Sequence, residues 1–134
     1  MLSLNRINNK GFTFLELITI VAILSVLAAI SLQQFEQYKA NAGNVTAESD
    51  LRNAISAQEV NFLYIHACAS CSDALDCENN LPGFVASKRS DGSSSMTIFE
   101  FSSSSEQDFI GTARHISGHV AYTFDNSIGS FQAG

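Results

Sequence analysis

The sequence predicts an α+β fold in which a long N-terminal α-helix packs on a small antiparallel sheet of three or four strands. The first observation is size, because 134 residues correspond to a single domain. The second is a helical pattern from residue 12 to about residue 66, with an apolar first half and an amphipathic second half. The third is a C-terminal region in which short runs of β-forming residues alternate with turn residues.

The N-terminal part of the chain predicts a short basic leader followed by a membrane-spanning helix. Residues 1–11 contain Arg6 and Lys10 and no acidic residue, whereas residues 12–32 contain one charge, at Glu16. About 20 apolar residues cross a bilayer as a helix, and the basic side is expected to stay in the cytoplasm. Secretory signal peptides have shorter apolar runs of about 7–15 residues. We therefore expect residues 12–34 to form a transmembrane helix rather than a plain signal peptide.

Glu16 is the single charged side chain inside the apolar segment. A lone carboxylate in a membrane helix is costly, marks a functional site by default and requires a cationic partner. Cleavage after Gly11 would give Phe12 a free α-amino group, four residues from Glu16 and on the same helical face. This amine could pair with Glu16 of its own chain or with Glu16 of a neighbouring copy.

The run Lys10-Gly11-Phe12-Thr13-Phe14-Leu15-Glu16 resembles the class III signal of type IV pilins and pseudopilins. The resemblance implies that a prepilin peptidase cuts between Gly11 and Phe12 and N-methylates Phe12. It also implies that Glu16 pairs with the N-terminus of a neighbouring subunit during assembly. Major pilins of this family usually carry proline at the position of Gln33, so the resemblance leaves open whether the helix melts there.

The remaining residues, 35–134, are expected to form a globular head. Residues 35–66 predict an amphipathic helix, in which Gly43 is expected to mark a bend. Residues 67–95 predict a loop, and residues 96–134 predict antiparallel strands at 96–101, 109–115, 120–124 and 128–131, with a turn at 125–127. The half-buried stripe of the helix is predicted to contain Phe35, Tyr38, Ala42, Val45, Leu51, Ile55, Gln58 and Phe62.

All three cysteines, Cys68, Cys71 and Cys77, lie in the predicted loop. Because an exported segment favours disulfides, we expect one disulfide and one leftover thiol. Cys71–Cys77 is slightly preferred, while Cys68–Cys77 and the tighter Cys68–Cys71 remain open. The alternative is a metal site made by His66 and the cysteines, since imidazole and thiolate are zinc and iron–sulfur ligands.

The remaining candidates for a metal or catalytic site are predicted to be ordinary surface residues. His115 and His119 flank a Ser-Gly pair and are expected to be exposed histidines at a hairpin turn rather than a metal or catalytic pair. Asp125, Asn126 and Ser127 predict a turn, because too few acids cluster there for calcium. The serine runs 93–95 and 102–105 predict exposed loops. No metal, cofactor or catalytic residue is predicted.

Composition and the resemblance together predict a structural protein and no enzyme. The formal charge is −6, and loss of Arg6 and Lys10 would make the chain more acidic, which disfavours nucleic-acid binding. The resemblance implies a type IV pilus subunit, held in the inner membrane as a precursor and then polymerised into an extracellular filament. Its partners would be further copies, prepilin peptidase and the assembly machinery.

Three alternatives to a pilus subunit remain open. They are a type II secretion pseudopilin, a minor pilin, and a membrane-anchored metal or redox protein. The process that a filament would serve is also open, whether motility, adhesion, DNA uptake, secretion or electron transfer.

Overall fold

A computed structural model describes residues 11–88, 96–103, 105 and 107–134. The element order is α1 (Phe14–Ile65), α2 (Ala74–Asn80), β1 (Thr97–Ser103), β2 (Phe109–His115), β3 (Ala121–Asp125) and β4 (Ser130–Ala133). The predicted α+β fold is therefore confirmed. The chain divides into two compact units, one up to Glu36 and one from Gln37 to Gly134, and each is described by itself. The leader residues Arg6 and Lys10 lie outside the described residues.

Helix α1 contains 52 residues and remains helical through Gln33. It ends where His66 adopts a left-handed conformation with φ of 55°, a common way for the chain to leave a helix. The backbone N–H of His66 still donates to the carbonyl oxygen of Phe62 at 2.9 Å, which closes the last turn. The predicted helix end at residue 66 is thus correct to within one residue.

The second unit contains residues 37–65 of α1, and small side chains dominate the face of this part that packs on the sheet. Ala47, Leu51 and Ala54 are fully buried there, and Gly43 is buried in the same stripe. The predicted stripe is correct for Leu51, Ile55 and Gln58, which are buried. It is wrong for Phe35, Tyr38 and Val45, which are exposed, and Ala42 is exposed as well. The buried face of this part of the helix therefore combines small residues with larger ones such as Leu51, Ile55 and Gln58.

The sheet has four antiparallel strands in the order β1-β2-β3-β4. The predicted strand 109–115 coincides with β2, and the other three predicted strands differ from β1, β3 and β4 by one to two residues at each end. Inner-face residues alternate along β1, where Phe99 and Phe101 are buried and their neighbours are exposed. Gly111 lies opposite Phe101, and a Cβ on Gly111 would lie 2.6 Å from Cε1 of the Phe101 ring. The glycine therefore makes room for the ring of Phe101.

The prediction of a loop over residues 67–95 is wrong in part, because residues 74–80 form α2. Asp73 caps this short helix, since its carboxylate accepts a hydrogen bond from the Asp76 N–H at 2.8 Å. Cys71 exchanges two backbone hydrogen bonds with Phe101, at 3.0 and 2.8 Å, and so covers part of the outer edge of β1. The prediction of a loop at 102–105 is also wrong in part, because Ser102 and Ser103 belong to β1. Residues 93–95 lie outside the described part of the chain.

Candidate assembly site

The first half of α1 exposes its apolar side chains. From Phe12 to Leu32 every side chain is exposed, and none of the most apolar window of α1 is buried within the chain. This helix is long and apolar enough to cross a membrane, judged by length and composition. A surface of this size requires a partner, either lipid or other protein.

Most polar side chains on this surface are satisfied by the helix itself. The hydroxyl of Thr19 donates to the carbonyl oxygen of Glu16 at 2.9 Å. The hydroxyls of Ser25 and Ser31 donate to carbonyl oxygens four residues earlier, at 2.7 and 2.9 Å. These hydroxyls therefore add little cost in an apolar environment, because the donors are already paired. Glu16 remains as the charged group of the segment.

Glu16 and Thr13 form a capping box at the start of α1. The backbone N–H and the hydroxyl of Thr13 both donate to Oε2 of Glu16, at 2.8 and 2.9 Å. In return, the Glu16 N–H donates to the Thr13 hydroxyl oxygen at 3.3 Å. The box supplies hydrogen bonds and no positive charge, so the carboxylate still lacks a counter-ion within its own helix. Sequence reasoning missed the role of Thr13, although the spacing Thr-x-x-Glu is the known signal for such a box.

The bond between Gly11 and Phe12 lies before the helix. Residues 11–13 have no regular secondary structure, and the Phe12 side chain is 79% exposed. Space is open around Gly11, because a Cβ there would meet no atom within 4 Å. The surroundings leave this peptide bond accessible, which is compatible with the predicted cleavage.

The cysteines form one disulfide, between Cys71 and Cys77, and Cys68 keeps a free thiol. The bond links the residue that pairs with β1 to the middle of α2, and both half-cystines are buried. Burial raises the pKa of the Cys68 thiol; Asp108 raises it further, and a hydrogen bond with the Gln58 side chain opposes both. His66 is exposed, and the disulfide occupies two of the four potential ligands of the predicted alternative metal site. No group of three or more His, Cys, Asp or Glu residues among residues 11–88, 96–103, 105 and 107–134 is arranged to hold a metal.

The prediction of an exposed pair of histidines is wrong for His115. Its side chain is 6% exposed and lies against Gly43 of α1, while His119 is exposed. Nδ1 of His115 accepts a hydrogen bond from the Ser117 N–H at 3.1 Å. Burial lowers the pKa of His115; Asp50 opposes this shift and Lys39 adds to it. The ring is therefore a buried packing element between sheet and helix.

Asp50 is a buried carboxylate that sequence reasoning missed. It is 2% exposed and accepts hydrogen bonds from the hydroxyls of Ser87 and Thr97, at 2.7 and 2.6 Å. The Ser87 N–H also donates to it, at 3.3 Å. These bonds join α1 to the segment before β1 and to β1 itself. The helical pattern alone placed Asp50 among polar surface residues, and no sequence signal distinguishes it from them.

At the C-terminal turn, Asp125 is satisfied by its own neighbours. Its Oδ1 accepts hydrogen bonds from the N–H and the hydroxyl of Ser127, at 2.9 and 2.7 Å. The carboxylate therefore stabilises an Asx turn, as the sequence predicts.

Comparison with known proteins identifies the class to which the N-terminus belongs. Residues 6–32 match the family described as "Prokaryotic N-terminal methylation motif". Two proteins of Pseudomonas aeruginosa, each described as "Fimbrial protein", are 34% identical over 89 residues, which is 66% of this chain and 57% of each relative. The "Type IV major pilin protein PilA" of Myxococcus xanthus (strain DK1622) is 37% identical over 54 residues, which is 40% of this chain and 24% of that protein.

The chain thus spans little more than half the length of the fimbrial proteins that it matches. The methylation motif, the helix-on-sheet fold and these relatives together make the chain similar to type IV pilins.

Proposed function

We propose that the protein is a structural subunit of a type IV pilus. Residues 1–11 would be a leader removed between Gly11 and Phe12, and Phe12 would be N-methylated. Residues 12–34 would hold the subunit in the inner membrane before assembly, and residues 35–134 would form its head. Further copies, prepilin peptidase and the assembly machinery would be its partners, and the extracellular filament its final location.

The single observation that carries this proposal is the exposed apolar half of α1. Its side chains are unburied within the chain, yet its hydroxyls are paired, so the surface is suited to lipid and to other apolar helices alike. Such a helix can be held in a bilayer and can later pack against copies of itself without exposing unpaired polar groups. Two of the related proteins are named fimbrial proteins, which supports the filament as the assembled form.

Glu16 would set the register between subunits in this filament. Its carboxylate has hydrogen-bond donors from Thr13 but no cation from its own helix. A buried carboxylate without a counter-ion is strongly unfavourable, whereas one beside an ammonium group is tolerated. The new α-amino group of a neighbouring copy would provide that counter-ion only when the two helices are correctly staggered.

The first test is the intact mass of the protein from filaments sheared off the cell surface. We expect a chain that lacks residues 1–11 and carries one additional methyl group. A processed chain that occurs only in membranes would instead indicate a pseudopilin or minor pilin. An unprocessed chain, or one cut at another bond, would contradict the cleavage site.

The second test compares substitutions at the capping box. Glu16→Gln keeps an acceptor for Thr13 but removes the charge, and Thr13→Val removes the hydroxyl donor but keeps the charge. If the charge pair directs assembly, Glu16→Gln abolishes filaments while Thr13→Val only reduces them, with equal amounts of membrane-held subunit. Filaments at normal yield from Glu16→Gln would refute the role of the charge.

A further inference from the structure

The head contains a cavity of about 420 Å³ at the C-terminal end of α1. It is lined by Gln58, Glu59 and Phe62 of the helix, by Cys68 after it, and by Asp108 before β2. Leu63, Gln107, Phe109 and Asn126 complete the described lining, so two of its nine residues are acidic and none is Lys or Arg. The cavity therefore combines negative charge with an aromatic wall.

Gln58 lines the cavity and has one unpaired polar atom among the described residues. The side chain is fully buried, and its Nε2 donates to the carbonyl oxygen of Ala69 at 2.9 Å. Its Oε1, however, is buried without a hydrogen-bond partner among the described residues. A buried acceptor without a donor is unfavourable, so this side of the cavity wall is not fully satisfied in the isolated chain.

The chemistry of the lining matches a guanidinium group. An arginine side chain offers five N–H donors in a plane, pairs with carboxylates and stacks on aromatic rings. The lining offers such a group the carboxylates of Glu59 and Asp108 and the ring of Phe62.

A suitable arginine lies at the opposite end of the same head. Arg114 is exposed on β2 and makes no ion pair with another side chain in the described ranges. Its neighbour His115 contacts Gly43, whereas the cavity begins at Gln58, so the two ends of the head are roughly 22 Å apart along the helix. Arg114 therefore cannot fill the cavity of its own chain, but it is available to another copy.

We propose that Arg114 of one subunit inserts into the acidic cavity of a neighbouring subunit, so that the globular heads of the two subunits contact each other in the filament. This proposal rests on the proposed function. The contact joins two different surfaces of identical chains, and such heterologous contacts generate open helical assemblies rather than closed dimers. It supplies the cavity with positive charge and with a stacking partner for Phe62.

The test is a charge exchange in the full-length protein, measured as the yield of sheared filaments. Arg114→Glu and Glu59→Arg each place like charges together and are expected to lower the yield about tenfold, while the double variant recovers most of it. Lys39→Glu is the matched control, because it makes the same charge change on an exposed residue of α1 outside the cavity. Both substituted side chains are exposed, and equal amounts of membrane-held subunit verify that the variants fold.

Cys68 provides a second readout, since it is the free thiol of the chain and lines the cavity. Its rate of alkylation by a small maleimide is expected to fall about tenfold from detergent-dispersed subunits to filaments, as expected for a filled cavity. Equal rates in the two forms would overturn the proposal. So would an Arg114→Glu yield no lower than that of Lys39→Glu, or a double variant no better than the weaker single one.

The proposed function and this inference fail in different ways. Absence of the wild-type chain from sheared filaments would contradict the pilus subunit itself. Wild-type filaments of normal yield, combined with any of the three negative results above, would overturn only the contact of Arg114 with the cavity.

Discussion

Replacement of Gly43 by alanine is expected to destabilise the head, although the same change in an ordinary exposed helix is stabilising. Gly43 lies inside α1 and faces the buried ring of His115. A Cβ built on Gly43 would lie 2.5 Å from Nδ1, 3.0 Å from Cγ and 3.2 Å from Cε1 of that ring. The ring cannot yield easily, because it is enclosed by the sheet and bonded to the Ser117 N–H.

The magnitude follows from three opposing terms. Overpacking a buried site costs about 1–3 kcal/mol, and displacement of the ring sacrifices the hydrogen bond from Ser117, about 1 kcal/mol. Alanine regains about 1 kcal/mol over glycine through helix propensity. The net expectation is a loss of about 2 kcal/mol from the free energy of unfolding.

A double-mutant cycle measures this contact directly. The variants are Gly43→Ala, His115→Ala and the double variant, each as the full chain in detergent micelles, unfolded by urea and followed by near-ultraviolet circular dichroism. In the His115→Ala background the methyl group has room, so Gly43→Ala is expected to stabilise by about 1 kcal/mol. The sign of the effect should therefore reverse, with a coupling energy of about 3 kcal/mol.

Two results would refute this reasoning. One is stabilisation by Gly43→Ala in the wild-type background, which would mean that the ring moves away without cost. The other is the same effect in both backgrounds, because it would place the cause in the helix rather than in the contact with His115.

Three further predictions concern the stability of the head. Asp50→Ala deprives the Thr97 hydroxyl and the other donors of their buried acceptor and should cost about 3 kcal/mol in urea unfolding. The pKa of His115 is lower in the folded state than in the unfolded state, so on acidification the unfolded state binds a proton at a higher pH than the folded state does. The contribution of His115 to the free energy of unfolding is therefore complete above the ordinary pKa of 6.5. It decreases as the pH drops below that value, by at most about 1.4 kcal/mol per pH unit. Replacing Cys71 and Cys77 by serine removes a short covalent loop and should cost about 2 kcal/mol.

Each of these predictions has its own control. Asp50→Asn keeps the shape and one acceptor and should lose less than Asp50→Ala; an equal loss would argue against the hydrogen bonds as the cause. The pH slope between 6.5 and 5 should disappear in His115→Gln, and its persistence there would assign it to another group. Cys68→Ser should leave the stability nearly unchanged, because Cys68 is not part of the disulfide.

The helix and the sheet could be predicted because their signals are local. The apolar run, the position of Glu16 and the alternating strand at residues 109–115 depend on neighbours in the sequence, and strand β2 begins and ends where it was expected. The capping box of Thr13 with Glu16 could equally have been predicted, because the Thr-x-x-Glu pattern that indicates it lies within four consecutive residues. Helix α2 was missed because its Asp73 cap stands in a segment otherwise rich in turn-forming residues.

The partners of α1 could not be predicted in the same way. Phe35, Tyr38 and Val45 have the apolar character of a buried stripe, but they are exposed, and Gly43 and Ala47 are buried instead. The choice between these faces depends on how the helix packs against the sheet, and that packing is a property of elements far apart in the chain. The unpartnered Oε1 of Gln58 is likewise visible only when its surroundings are known.

The sequence by itself determined the elements of this protein and the chemistry of its N-terminus. The N-terminal signal consists of contiguous features: a basic leader, a Gly-Phe bond, one carboxylate and an apolar helix. The function that these features predict depends only on their spacing along the chain. Only the tertiary structure decided that His115 lies against Gly43, that Asp50 joins helix to sheet and that an acidic cavity lies at the end of the head. Packing and burial arise between segments that are distant in sequence, and the free energy of such contacts has no local signature.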